Sequence, residues 1–408
     1  MLVEENSCSR STRTDDGAVR HSPGSAQLPG LLPWTHAISL QSDENSRRSH
    51  PPPLPPVPPP GAPPLASHPP EPASSSLRPD RNEHPIGDSR SNSITSITES
   101  LERELALNNG ASFRLSFDIY FRYLNSLHPI INENQFRQNF DDLAFGESRY
   151  LAPSIREQFR TLVYLVRAEV TILCSHCPED SAQLPGWLEF RVADRMLSES
   201  LSDNNLSVLT IQCLLMKARY AMYVGNIHQA YDTITIAVRC SYQMGLHDQS
   251  LWHARGYSPF EVVMCQRIFW CLVVLEQVVS QNCGVPYIIR DGTYDVDMPT
   301  AFDDRNLFPG RPLPQPTPER SFIPYLQSLI EWSSVCKTIW DMALSVGARK
   351  TVDAQTIVNL DRTITLVKDC WGTTDIASPV HRTHVNPEQT ESEGWQRAHF
   401  HLVRKLSI

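Results

Sequence analysis

The sequence predicts an all-α fold: a multi-helix bundle with antiparallel helical hairpins, preceded by a long disordered N-terminal segment. Three observations carry this. From residue 93 onward, apolar residues recur at helical spacing. The candidate helices stop at glycine, asparagine or proline. β-Branched pairs fall inside helical periods, so no convincing strand remains. The 408-residue chain divides at 92/93 into a Pro/Ser-rich segment, 1–92, and a helical domain, 93–408.

Within 51–70, twelve of twenty residues are proline. A segment so poor in apolar residues cannot offset its ordering entropy, and proline favours extended polyproline stretches. At 93–110, "SITSITESLERELALNNG" reads as a helix stopped by Asn109-Gly110. The next segment places Phe117, Tyr120, Phe121 and Leu124 on one stripe and is ended by Pro129. A short helix, "NENQFRQNFDDL", follows. The helix after it carries a stripe of Phe159, Leu162, Leu165, Val166, Val170 and Leu173, and "LEFRVADRMLSESL" is a further amphipathic candidate.

The clearest hairpin spans 206–247. Its first helix presents Ile211, Leu215, Ala218 and Met222, and its second Ala230, Ile234, Ala237 and Met244. Small residues on both stripes suit close antiparallel contact. Gly225 and Gly245 are placed to end the two helices in the left-handed conformation. Ser258-Pro259 then caps and opens a helix running to Gln281, apolar on nearly all sides and therefore expected at the bundle centre. The charges that flank its unbroken apolar run, Arg267 and Glu276, are nine residues apart and so lie on opposite faces; each needs a partner on another element. Arg239, or another base of the preceding hairpin, is the expected partner of Glu276. A Pro/Asp-rich loop covers 291–318, and "PYLQSLIEWSSVCKTIWDMALSVG" and "VDAQTIVNLDRTITLVKDCW" continue the helical text.

Charge and motif content exclude several classes. A net charge of −9 and the lack of a basic stripe argue against sequence-specific DNA binding by this chain alone. No secretory signal opens it and no run of eighteen apolar residues suggests a membrane span. Ten cysteines, mostly within apolar helical text, fit reduced thiols of an intracellular protein. No metalloprotease, phosphate-loop, dinucleotide or nucleophile-elbow spacing occurs. Cys174 and Cys177 form a C-x-x-C pair without two further ligands at zinc spacing. The aspartate pairs in "FDDLAFGE" (140–147) and "FDDRN" (302–306), the latter Asp303 and Asp304, lack the second acid of a magnesium site and suit turns or caps. No catalytic, cofactor-binding or metal-ligating residue is assigned, and no cofactor is expected.

The ordered set "AVRCSYQMGLH", "SPFEVVMCQRIFWCLVVLEQ" and "CGVPYIIRDGTYDVDMP" resembles the fungal-specific transcription factor domain, the middle homology region of fungal zinc-cluster regulators. An Ala-x-Arg helix ending in Gly-Leu-His is matched by Ala237, Arg239, Gly245, Leu246 and His247. An Arg-x-x-Trp helix with a late acid is matched by Arg267, Trp270 and Glu276. Gly-x-Pro and Asp-x-Asp-x-Pro turns are matched by Gly284, Pro286, Asp295, Asp297 and Pro299. "FDIYFRYLNSLHPIINENQF" resembles the family's opening aromatic helix. The likeness is best over 113–302. Glu276 stands where the family usually has Asp, and Val285 where it often has Arg. Only Cys8 precedes Cys174, so the six-cysteine DNA-reading cluster of most members is expected to be absent, and the C-terminal part reads as incomplete.

The resemblance implies a non-catalytic transcriptional regulator in the nucleus, bearing on metabolic or secondary-metabolite genes. Its partners would be transcription-machinery proteins or a DNA-binding partner, with room for a small-molecule effector. The alternatives from other classes are an all-α enzyme acting on an isoprenoid diphosphate, which magnesium-dependent diphosphate release would reveal, and a helical interaction scaffold, which a second hairpin at fixed period would support.

Overall fold

The computed structural model describes residues 88–106, 110–144, 152–175 and 184–347, together with 353–355, 357–359, 361–362 and 364–365. Most of the segment expected to be disordered lies outside the described residues, as does everything beyond 365. All regular elements among the described residues are helical; one isolated bridge, between Asp248 and Asp295, joins two loop positions.

Helix α1 (Asp88–Ala106) begins inside the segment expected to be disordered. Its Leu101 and Leu105 are buried and Ile94 and Ile97 pack beside them, and this apolar stripe gives the helix a surface to hold. Its expected stop at Asn109 lies outside the described residues. Gly110, with φ 68°, stands as the N-cap of α2 (Ala111–Ile119) rather than as the end of α1. A π-turn, Tyr120–Leu124, prolongs α2 before Pro129. The aromatic stripe is buried as its spacing predicts and stacks edge-to-face on α3 (Glu133–Ala144): Phe117 meets Phe136 at 4.9 Å and Phe140 at 4.6 Å between ring centroids.

Helices α4 (Pro153–Cys174) and α5 (Trp187–Ser202) form one close pair. Gly186, which precedes α5, has φ 70°, and a Cβ there would sit 2.3 Å from the Ala168 carbonyl oxygen. Only glycine allows both that conformation and that approach. The expected hairpin is α6 (Val208–Tyr223) and α7 (Ile227–Met244), closed by a short link through Gly225 at φ 75°. Ile211, Leu215, Ala218, Ala230, Ile234 and Ala237 are all fully buried, whereas Met222 and Met244 at the helix ends are half-buried.

After the short α8 (Gln249–Ala254), α9 (Pro259–Cys283) runs through the middle of the bundle against α6, α7 and α10 (Ile323–Ile339). Ser258 caps it through a reciprocal box with Glu261, and Pro259 takes the first position. The helix is long and apolar enough to cross a bilayer, but 89% of its most apolar window is buried within the bundle. The 291–318 loop is irregular apart from two 3₁₀ turns, and a second π-turn, Trp340–Leu344, follows α10.

Candidate functional site

The sequence offered no catalytic set, so the site is defined by where buried charge and loop closure meet. Glu261 in the first turn of α9 is exposed, whereas Trp270 and the two interior charges of the helix are buried, with Arg267 and Glu276 wholly inaccessible. Being on opposite faces, they hold opposite neighbours.

Arg267 reaches the 3₁₀ turn of the long loop. Its Nη1 lies 2.7 Å from Oδ1 of Asp304. The contact is ionic, with none of the guanidinium nitrogens aligned in a hydrogen bond. Asp303 caps the same turn through the Arg305 N–H at 3.0 Å, and Asn134 of α3 donates to the Asp304 carbonyl at 2.8 Å. The second aspartate pair of the sequence is thus a joint between loop, α3 and α9. Of the first pair, Asp141 binds Arg114 at 2.6 Å. Cys174 is exposed at the end of α4, and Cys177 lies outside the described residues. Among the described residues, no three His, Cys, Asp or Glu side chains converge as metal ligands would.

Glu276 corrects one expectation. Arg239 is exposed and does not serve it; it lies about 200° around α7 from the buried Ala237, hence on the outer face. Oε1 of Glu276 instead accepts from Ser280 Oγ at 3.0 Å and from the Ile288 N–H at 2.6 Å, in the strap that leaves α9. Burial raises its pKa, opposed by those hydrogen bonds and by Lys337 of α10. Lys337 is itself buried and donates to the Ile289 carbonyl at 3.1 Å, and burial lowers its pKa against the pull of Asp291 and Glu276. Its cation stands over the Tyr287 ring, and the Tyr287 hydroxyl donates to Asp341 of the π-turn. The strap 285–290 is therefore pinned to α9 at one edge and to α10 at the other.

Trp270 is buried, against the turn rather than deep in the bundle. Its indole N–H donates to the Asp297 carbonyl at 2.9 Å and its ring meets Tyr294 edge-on. The Asp-x-Asp-x-Pro segment is also stitched to α8: Asp295 N–H donates to the His247 carbonyl at 2.8 Å, and Gln249 donates to the Asp297 carboxylate at 2.7 Å. Gly245 ends α7 at φ 73°, and its carbonyl accepts from the buried Trp252 indole at 2.9 Å. The scattered positions Gly245, His247, Trp270, Asp295 and Asp297 so form one continuous joint.

One buried pair was not foreseen. Arg219 of α6 and Glu169 of α4 are both inaccessible and bond through Nε–Oε1 at 2.9 Å and Nη2–Oε2 at 2.5 Å. Nη2 also approaches the Tyr120 hydroxyl at 3.2 Å and the Met216 sulfur at 3.3 Å. Burial works against the guanidinium charge, but Glu169, Tyr120 and Tyr223 outweigh it and hold the pKa well above its ordinary value. Arg219 stands four residues after Leu215, and Glu169 three after Val166, so both fall on stripes otherwise apolar. That placement was the available signal.

Among the described residues, the buried charges Arg219, Glu169, Arg267, Glu276 and Lys337 each join one element to another, which defines an α-helical domain built to couple its elements. The chain belongs to the fungal specific transcription factor domain family, whose profile matches residues 117–346. It is 23% identical over 261 residues to an ABC-transporter-regulating transcription factor of Aspergillus fumigatus, covering 62% of this chain and 28% of that protein. It is 22% identical over 195 residues to the transcriptional activator protein acu-15 of Neurospora crassa, covering 47% and 19%. It is 28% identical over 112 residues to the terreic acid cluster-specific transcription factor atF of Aspergillus terreus, covering 27% and 16%. The chain thus spans well under two thirds of the length of these relatives. No solved structure matches it.

Proposed function

We propose that this chain is the non-catalytic regulatory domain of a fungal transcriptional regulator, working in the nucleus through transcription-machinery proteins or a DNA-binding partner. The observation that carries the reading is the family match over 117–346. The fate of the candidate acids supports it against an isoprenoid enzyme: Asp303 caps a turn and Asp304 neutralises Arg267. The net charge of −9 supports action through partners rather than by gripping DNA. We take 93–408 as the regulatory unit and 1–92 as an attached segment. The names of the A. terreus and A. fumigatus relatives favour target genes in secondary metabolism or transport.

Tethering the whole chain to an unrelated DNA-binding module upstream of a reporter in a fungal cell tests the reading. Reporter output changed in either direction, relative to the module alone, is expected. An unchanged reporter with the fusion present in the nucleus would contradict it, as would magnesium-dependent diphosphate release by the purified chain.

A further inference from the structure

The 291–318 loop ends in a run of alternating prolines. Pro312, Pro314, Pro316 and Pro318 each bias the residue before them away from the helix. Thr317, between the last two, has φ −135° and ψ 78°. Its N–H donates to the Ala301 carbonyl at 2.9 Å, which fastens the end of the loop to its middle. Its Oγ1 is buried with no hydrogen-bond partner, although Gln315, Pro316, Pro318, Glu319 and Arg320 around it are exposed. A buried hydroxyl without a partner is met only rarely in folded proteins, and it gains hydrogen bonds to water when the segment lifts. Four residues earlier, Leu313 packs on a small apolar cluster apart from the main core: Phe260, Val263 and Met264 of α9 with Phe302 and Leu307 of the loop.

Thr317 opens the sequence Thr-Pro-Glu-Arg. A hydroxyl residue followed by proline, with a base three places on, is the pattern that proline-directed kinases accept. The proline has no N–H to leave unsatisfied in the kinase cleft, and the base meets an anionic group. Ser22, Ser258 and Ser378 also precede proline, but carry serine, glutamate and histidine at the third place, and Ser258 is committed to capping α9. We propose that Thr317 is the phosphorylation site of a proline-directed kinase, and that its phosphate releases the 312–318 segment from Ala301 and from the cluster around Phe260. Transfer from ATP breaks the bond between the γ-phosphorus and the oxygen that leaves with ADP, and forms the Oγ1–P bond. The hydroxyl proton passes to the catalytic carboxylate of the kinase. The product carries a charge of about −1.5 to −2 at pH 7, and the charges next to Ala301 in the chain are the acids Asp303 and Asp304. A dry site without a counter-charge does not hold such a group, so the segment stays lifted. Asp304 also neutralises the buried Arg267, so the same loop carries the change to the central helix.

The test incubates the whole chain with a purified cyclin-dependent kinase and MgATP and locates phosphate by tandem mass spectrometry. Thr317 is expected as the principal acceptor, ahead of Ser22, Ser258 and Ser378. Thr317→Ala should remove that phosphate and Thr317→Ser should restore it. Arg320→Gln should slow transfer to Thr317 about tenfold, the value of one charge-assisted hydrogen bond to the kinase. In the phosphorylated chain the Thr317 amide should exchange about tenfold or more faster, with the amides of α6 unchanged. No phosphate at Thr317 from a kinase active on its standard substrate, faster transfer to any of the three serines, a rate untouched by Arg320→Gln, or unaltered exchange at Thr317 would each overturn the proposal. The inference goes beyond the regulatory reading and does not rest on it, so failure here is distinguishable from failure of the reporter assay.

Discussion

At the α4–α6 joint, Arg219 and Glu169 bond to one another through two side-chain hydrogen bonds, and Nη2 of Arg219 also meets Tyr120 and Met216, while its Nη1 is buried without a hydrogen bond. At the α9–α10 joint, Glu276 and Lys337 are just as deeply placed, but each bonds to backbone of the strap, at Ile288 and Ile289. The first arrangement fixes two helices in one geometry. The second fixes a loop, and the loop can leave with its hydrogen bonds while both helices stay folded. The α4–α6 side is then expected to act as the frame and to open less readily than the strap and α10.

The largest expected effect comes from breaking the frame. Arg219→Met leaves Glu169 buried and alone and should cost about 3–5 kcal/mol in urea unfolding. Changing Glu169 to Met as well should recover most of that loss, because the pair's value lies in mutual compensation. A double variant as unstable as the single one would mean that the site holds more than a charge pair. Trp270→Ala should cost a similar amount, about 3–5 kcal/mol, by emptying a large site. Trp270→Phe keeps most of the ring and should cost about 1 kcal/mol, the hydrogen bond to Asp297; chemical denaturation of the two variants separates packing from bonding.

The smallest effect, and the sharpest for the comparison, concerns Glu276. Burial raises its pKa above the ordinary 4.5, so the folded chain takes up this proton at a higher pH than the unfolded chain does. The contribution of this group is fully present below 4.5 and is lost as the pH rises through the folded value. Glu276→Gln should therefore cost little at neutral pH, about 1 kcal/mol or less, since the amide keeps an acceptor for Ile288 and Ser280. Measured as wild type minus variant, stability should rise as the pH is lowered toward 4.5. A flat difference would remove burial as the dominant influence on this carboxyl.

Much of this was legible in the sequence. The capping box at Ser258, the glycine stop at Gly245 and the unbroken apolar run of α9 all act locally, where spacing carries the information. Burial of Arg267 and Glu276 followed from their place in that run. Their partners did not, because Asp304 comes from the 291–318 loop and the Ile288 amide that serves Glu276 from the strap, whose approaches to α9 are set by the tertiary path of the chain. Arg239 misled for the opposite reason: it was near in sequence but on the outer face of α7. Arg219 and Glu169 were readable in principle, as opposite charges on two apolar stripes, and only the pairing of α4 with α6 was missing. The start of α1 was hidden by its serine-rich opening, whose anchoring comes from Leu101 and Leu105 later in the helix.

Amide hydrogen exchange under native conditions tests the contrast between frame and strap most directly. The Ile288 amide, the donor to Glu276, and the amides of α10 should exchange through an opening of lower free energy than those of α6 around Arg219. Glu276→Gln should speed exchange at Ile288 and leave α6 unchanged. Equal opening free energies at Ile288 and around Arg219, moving together in the variant, would contradict the account and make the bundle a single cooperative unit.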